Sequence, residues 1–431
     1  MGENLEDLKE EYESLQTLLE AYNPWKGKDF DDLLDDFFEA LKNDDKEFSW
    51  LKIDDKLYNE LKDKKGKAVS IDYGIPSHVR GDIENGTLFL CLVNPNIDVK
   101  VAMCEACQMK NKEDIKKYLF DINSKGGILY KEIVELKGLK KLIGLEESDK
   151  DKNQEKNKIG YYTANYFYVI LSSINVKKNK NKSQNKDNSK NEDKLKKALT
   201  SFENFCINLE NDGLNKQIKE EKEVNKESLK YFVEISKNIV NLEAFPFRSS
   251  TPGFAIKEEN AGNRFANCMV NSNSNVSMLS ARIIIWKILE YIVNPKDNVK
   301  PVFIFRRFNR AWRPSIENVL RKDFFGKNKD DSVKEDKDDS VKEDKEINIA
   351  IDNIIKKLHE EFFYTIGPKD QDNMLKMGKN IYKNDDNIYE ENENENDHDK
   401  ENKGNKEAVF NEIIINALTP KKDKKENKGY E

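Results

Sequence analysis

The sequence has no apolar run approaching the roughly 18 residues of a membrane span, and its start, MGENLEDLKEEYESL, lacks the apolar centre of a signal peptide. Neither a span nor export is expected. Glu6 stands where an N-myristoylation signal carries Ser or Thr. Neither GxxxxGK nor GxGxxG occurs, which disfavours a nucleotide-hydrolysing P-loop enzyme. Cysteine is sparse and odd in number, at 91, 104, 107, 206 and 268, so reduced thiols and a cytoplasmic location are expected. The three histidines, His78, His359 and His398, show no metal-ligand spacing; His78, in IPSHVR just before the first apolar run, is within reach of a site at the strand ends but is expected in a surface loop. A net charge of −7 excludes a histone-like coat for nucleic acid, because such binding needs clustered cations; any nucleic-acid contact must be local.

What the chain has in excess is Lys, Asn, Asp and Glu. Four stretches, 146–158, 177–194, 327–346 and 384–406, consist almost wholly of these residues, and a basic tail follows from Lys421. Such segments bury too little apolar surface to offset backbone ordering, so they are expected to be disordered inserts in a smaller folded core. The insert at 327–346 carries DDSVKEDK twice in tandem and is expected to be a solvated loop. Residues 4–65 show apolar positions at helical spacing (Leu5, Leu8, Tyr12, Leu15, Leu18, then Leu33, Leu34, Phe37, Phe38, Leu41) and predict an N-terminal helical layer. Its exposed apolar content is the feature that would serve a protein partner.

Four short apolar runs then alternate with helical patterns. The strands fall near 87–93, 238–244, 301–306 and 361–366, and the helices at 159–174, 195–209, 228–235, 278–293 and 314–320. Continuous apolar runs bounded by Gly, Pro or polar residues suit strands buried on both faces, and alternation with helices implies parallel pairing. The expected fold is α/β, a three-layer α/β/α sandwich with a central four-stranded parallel sheet. The expected organisation is a helical layer over 1–70, the α/β domain over 71–383 and a charged low-complexity tail over 384–431.

In such sheets ligands bind beyond the carboxyl ends of the strands. Each predicted strand end carries a polar group: Asn94 and Asn96; Glu243, Phe245, Phe247 and Arg248; Arg306, Arg307 and Arg310; Lys369, Gln371 and Asn373. Arginine is scarce, nine against 65 lysines, and none falls in the inserts, while five sit between Arg306 and Arg321. Guanidinium forks interleaved with Phe305, Phe308 and Trp312 suit phosphate contacts and base stacking, with Arg248, Arg306, Arg307 and Arg310 as the phosphate candidates. Trp312 is expected to pack under the following helix. The bland alternatives are arginines paired with the abundant acids, Asn94 as a turn former, and Glu243 as a strand-end carboxylate paired with Arg248 or Arg307.

The ordered set "strand, NP", "NLEAFPFRS", "PVFIFRRFNRAW" and "GPKDQDN" resembles the uracil-DNA glycosylase superfamily, and more closely its uncharacterised bacterial glycosylase-like members. The resemblance covers residues 73–383 without the inserts. It implies hydrolysis of the N-glycosidic bond in DNA, with Asn94 orienting the attacking water and Glu243 at the place that reads the base. Such a reaction passes through an oxocarbenium-like centre and needs a positioned water, a negative group near the sugar and donors for the leaving base, so Asn94, Glu243 and Lys369 are the catalytic candidates, and Asn96, Phe245, Phe247, Gln371 and Asn373 are the candidates around the base. The chain departs from the pattern after the last strand, where such enzymes place a His and this sequence offers Lys369 and Gln371 as substitute donors. The alternative is a non-catalytic nucleic-acid or nucleotide-binding module of the same fold. Some glycosylases carry an iron-sulfur cluster, but Cys104 and Cys107 are expected to be free thiols, and no metal or cofactor is expected; the expected partner is DNA with a flipped or single-stranded base.

Overall fold

The computed structural model describes residues 5–43, 48–62, 74–95, 109–121, 238–248, 261–326, 337–366, 381–382 and 417. The predicted helices at 159–174, 195–209 and 228–235, and the inserts at 146–158, 177–194 and 384–406, lie outside the described residues.

The described residues form a mixed α/β fold around a mostly parallel sheet. Its strands are β1 (Val79–Arg80), β2 (Leu88–Leu92), β3 (Phe120–Asp121), β4 (Ile239–Glu243), β5 (Val302–Phe305), β6 (Phe363–Ile366) and β7 (Ile381–Tyr382), in the spatial order β3-β1-β4-β2-β5-β6-β7. The four longer strands are those the sequence predicts, and each neighbouring pair among them is parallel. Three two-residue strands extend the edges. β1 runs antiparallel to β4, β3 parallel to β1, and β7 antiparallel to β6.

Both faces of the longer strands are buried. Phe89, Cys91, Val240, Leu242, Phe303, Phe305 and Phe363 point into the main core. The alternate residues Leu88, Leu90, Leu92, Ile239, Ile304 and Tyr364 are buried on the opposite face. Two covered faces explain why the strands read as unbroken apolar runs rather than alternating ones.

The N-terminal helices belong to the same core as the sheet. Helix α1 (Leu15–Tyr22) is capped by Ser14, whose Oγ accepts from Thr17 N at 3.1 Å, and α2 (Lys28–Asn43) buries Phe30, Leu33, Leu34, Phe37 and Ala40 at helical spacing. Trp25, between them, makes edge contacts with Phe247 and His78 of the α/β part. The apolar stripe expected to serve a protein partner is therefore used inside the molecule: Leu41, Val293 and Ile349 are the exposed large apolar side chains among the described residues.

After α3 (Asp55–Leu61) and α4 (Lys112–Leu119), helices α5 (Ala261–Asn271) and α6 (Asn275–Val293) fill the connection from β4 to β5. Helix α6 is buried without interruption from Val276 to Leu289, including Arg282 and Lys287. Arg282 is 1% exposed and makes a bidentate pair with Asp323 at 2.7 and 3.1 Å, donates to Asn275 Oδ1, and lies 3.8 Å over the Tyr22 ring. A buried cation stacked on α1 and paired beyond α6 locks the N-terminal helices to the core.

Helix α7 (Arg313–Val319) follows β5, with π-helical turns at Phe308–Trp312 and Leu320–Phe325 on either side, and α8 (Lys337–Glu361) leads into β6. Helix α8 corrects the expected loop over 327–346, since its first turns are the second DDSVKEDK copy and continue into the buried stripe Ile347, Ala350, Ile351, Ile354, Ile355 and Leu358. Lys and Glu propagate a helix at little cost once an apolar face anchors it. Residue Ala417, inside the expected tail, is 2% exposed, and its carbonyl accepts the Thr87 hydroxyl at the start of β2. At this point the tail touches the sheet. No helix among the described residues is long and apolar enough to cross a membrane.

Candidate functional site at the carboxyl ends of the parallel strands

The register aligns the ends of four strands. Leu92 pairs with Glu243, Cys91 with Phe305, and Phe305 with Thr365. Pairing continues past the strands, with Arg306 N donating to Cys91 O at 2.9 Å and Phe245 N to Val93 O at 3.2 Å. Glu243 and Arg306 thus stand level with Leu92 at the ends of β4 and β5, and Asn94 follows two residues beyond Leu92. From β2 the chain goes first to β3 and β4 on one side and later to β5 on the other, which is the reversal beside which open α/β sheets bind ligands.

Asn94 is half-buried and its orientation is set. Nδ2 donates to Phe247 O at 3.0 Å and to Pro95 O at 3.2 Å. Both partners are carbonyl oxygens, so the amide has one consistent assignment, with Oδ1 as its acceptor on the other side. The side chain straps the loop after β2 to the loop after β4.

Glu243 is 3% exposed, which corrects the picture of a carboxylate at an open strand end. Its main chain is held by Glu243 N donating to His78 O at 3.0 Å and by Ser280 Oγ donating to Glu243 O at 2.7 Å. Burial pushes its carboxyl up to about 8, against the opposing pull of the Arg80, Arg248 and Arg306 guanidiniums. At neutral pH the acid is therefore mostly protonated. The same burial, with the Glu243 charge adding to it, raises the Cys91 thiol well above its ordinary value.

The arginines do two kinds of work. Arg80 Nε donates to Ser77 Oγ at 2.7 Å with its guanidinium 4.9 Å over the Tyr118 ring. Arg248 Nε donates to Ile75 O at 2.9 Å and its Nη2 to Tyr118 Oη at 2.7 Å. Arg248 is 7% exposed, so it ties the segment before β1 to α4 instead of lying open to a phosphate. Arg306, Arg307 and Arg310 are half-exposed. Arg307 has φ 55° and ψ 49°, a left-handed conformation that costs a side-chain-bearing residue energy and turns the chain sharply from β5 into the next helix.

Phe245 and Phe247 do not offer stacking faces. They are 0% and 1% exposed and pack edge-on against Phe265, with Phe247 also against Trp25. The alternation of NLEAFPFRS sends these rings inward because Trp25 and Phe265, far away in sequence, close over them. Trp312 is fully buried against Phe305, as expected. His78 is buried rather than in a surface loop: Trp25 Nε1 donates to its Nδ1 at 2.9 Å, and burial lowers it to about 3. The expected Asn96, Lys369, Gln371 and Asn373, with Cys104, Cys107 and Cys206, lie outside the described residues.

Arg80, Tyr118 and Asn241 were not singled out from the sequence. Arg80 had a usable signal, being one of nine arginines and just before a strand; so did Asn241, a lone amide inside an apolar run. Tyr118 had none. Among the described residues no three His, Cys, Asp or Glu side chains are grouped so as to hold a metal ion. Comparison of the chain with protein-family models, curated proteins and solved structures gives no match.

Proposed function

We propose that the protein is a base-recognising hydrolase of the N-glycosidic bond in DNA, built on a three-layer α/β/α sandwich with its site at the carboxyl edge of the parallel strands. The observation that carries the proposal is that Leu92, Glu243 and Arg306 stand level at the ends of three adjacent parallel strands, with Asn94 two residues beyond Leu92, beside the reversal in strand order. Burial of both sheet faces supports the three-layer arrangement.

In this reading Asn94 Oδ1 holds the attacking water, because Nδ2 is engaged by two carbonyls. Glu243 reads the base instead of stabilising an oxocarbenium-like centre, since a neutral acid offers no negative charge. Arg306, Arg307 and Arg310 face backbone phosphates, and Lys369 or Gln371 donates to the departing base. A second reading, a binding module without chemistry, is favoured by the neutral Glu243 and by the absence of His in GPKDQDN.

The test is alkali-cleavable site formation on oligonucleotides bearing uracil, hypoxanthine or modified cytosines. Product is expected from the wild type and none from Asn94→Ala. Arg307→Ala and Arg310→Ala are each expected to lower the log-log salt slope of single-strand binding by roughly 0.7 per lost phosphate contact. Binding without product from any substrate would select the module, and absence of both would refute the proposal.

A further inference from the structure

We propose that Glu243 and Asn241 form one recognition strip for a neutral planar group that presents a hydrogen-bond donor beside an acceptor. The inference rests on the nucleic-acid reading above and deepens it by stating how the base edge is met.

Asn241 lies one pleat below Glu243 on β4, so the two side chains share a face and are spaced roughly 7 Å apart. The strip is flanked by Leu90 and Leu92 of β2, which pair with Asn241 and Glu243. Asn241 is 1% exposed and both of its amide atoms lack a hydrogen-bond partner among the described residues; Glu243 Oε2 is in the same position. An unsatisfied buried amide costs roughly 1 to 3 kcal/mol, and a strand interior would take Leu or Val at no such cost. Two such side chains in succession, leading to the strand end, are what a ligand-binding strip requires and what packing alone disfavours.

The chemistry follows from their protonation. A carboxylate only accepts, and would select edges with two donors; a neutral carboxyl has one O–H and one acceptor oxygen, the pattern of the amide beside it. The groups that act on the Glu243 charge are Arg80 on β1, Arg248 after β4, Arg306 after β5 and the Cys91 thiol on β2, and burial outweighs the arginines to leave the acid at about 8. The hydrogen-bonding edges of nucleobases carry a donor beside an acceptor, whereas phosphate offers acceptors alone.

The experiment compares binding of a fluorescein-labelled single strand of abasic spacers with the same strand carrying one central cytosine, adenine, uracil or hypoxanthine. At pH 7 at least one base is expected to bind roughly tenfold tighter than spacer, the lower range for a bidentate base contact. Between pH 7 and pH 9 the wild-type preference is expected to fall about tenfold as Glu243 ionises near 8. Glu243→Gln, which keeps one donor and one acceptor, should restore the preference at pH 9. Asn241→Leu should lose it while gaining thermal stability, the opposite of a purely structural amide. Equal binding of base and spacer strands, a preference unchanged across pH 8, or a Glu243→Gln protein without preference would overturn the inference and leave phosphate binding standing. No binding to any strand would overturn the nucleic-acid reading itself.

Discussion

Glu243→Gln should stabilise the protein increasingly as pH rises, by an amount the burial of the acid sets. In the unfolded chain the carboxyl ionises near 4.5, while in the fold it keeps its proton to about 8. Between those values the folded state binds the extra proton, so wild-type stability falls with rising pH by about 1.4 kcal/mol per unit, roughly 5 kcal/mol over the window. Glutamine does not titrate and the loss disappears. Wild-type and variant should agree near pH 4.5 and diverge to pH 8, by roughly 10 to 20 °C in Tm. His78 has the opposite sign. Its ordinary value of 6.5 is lowered to about 3 in the fold, so its contribution is lost as pH falls from 6.5 towards 3. His359, lowered to about 4 by burial and then by Arg313, adds to that loss. The Glu243 effect is therefore isolated by urea denaturation of both proteins between pH 6.5 and 9. Parallel stability profiles there would mean that Glu243 is ionised in the fold and held by its arginines.

Asp323→Ala leaves Arg282 charged, 1% exposed and without its bidentate partner, and should cost about 3 to 5 kcal/mol in urea denaturation; a loss under 1 kcal/mol would show the pair to be dispensable. Gly81 has φ +118°, and a Cβ there would stand 2.8 Å from Ile239 O, so Gly81→Ala should lower stability by at least about 2 kcal/mol and loosen the β1–β4 pairing, seen as faster amide exchange of Asn241 and Leu242.

What the sequence made legible was set by range. The four longer strands stand in the chain as apolar runs because each is buried on both faces, and α6 stands out at 278–293 because its burial is unbroken. Those signals are local. The two-residue strands β1, β3 and β7 carry no pattern, since two residues cannot express a period, and pairing with a longer neighbour defines them. The helical start of α8 is hidden in a charged repeat because its anchor lies further along, from Ile347 to Leu358.

Side-chain roles were legible only where the backbone dictates them. That Asn94, Glu243 and Arg306 end neighbouring strands follows from the strand pattern, but what surrounds each depends on residues far along the chain. Phe247 looked like a stacking surface until Trp25, from the N-terminal helices, covered it, and the same Trp25 buries His78. Scarce arginine was a true signal of constraint without naming the kind: Arg282 is locked in the core by Asp323, Arg248 ties the segment before β1 to α4 through Ile75 O and Tyr118, and Arg306 sits at the strand ends. Glu243 shows the limit most sharply. A glutamate closing an apolar strand reads as a charged group meeting solvent, yet burial at the same strand end, against the pull of three arginines, pushes its carboxyl up to about 8. Asn241, one pleat behind it, is an amide buried inside an apolar strand with neither amide atom hydrogen-bonded among the described residues, and an apolar run gives no sign of which of its positions will be left so.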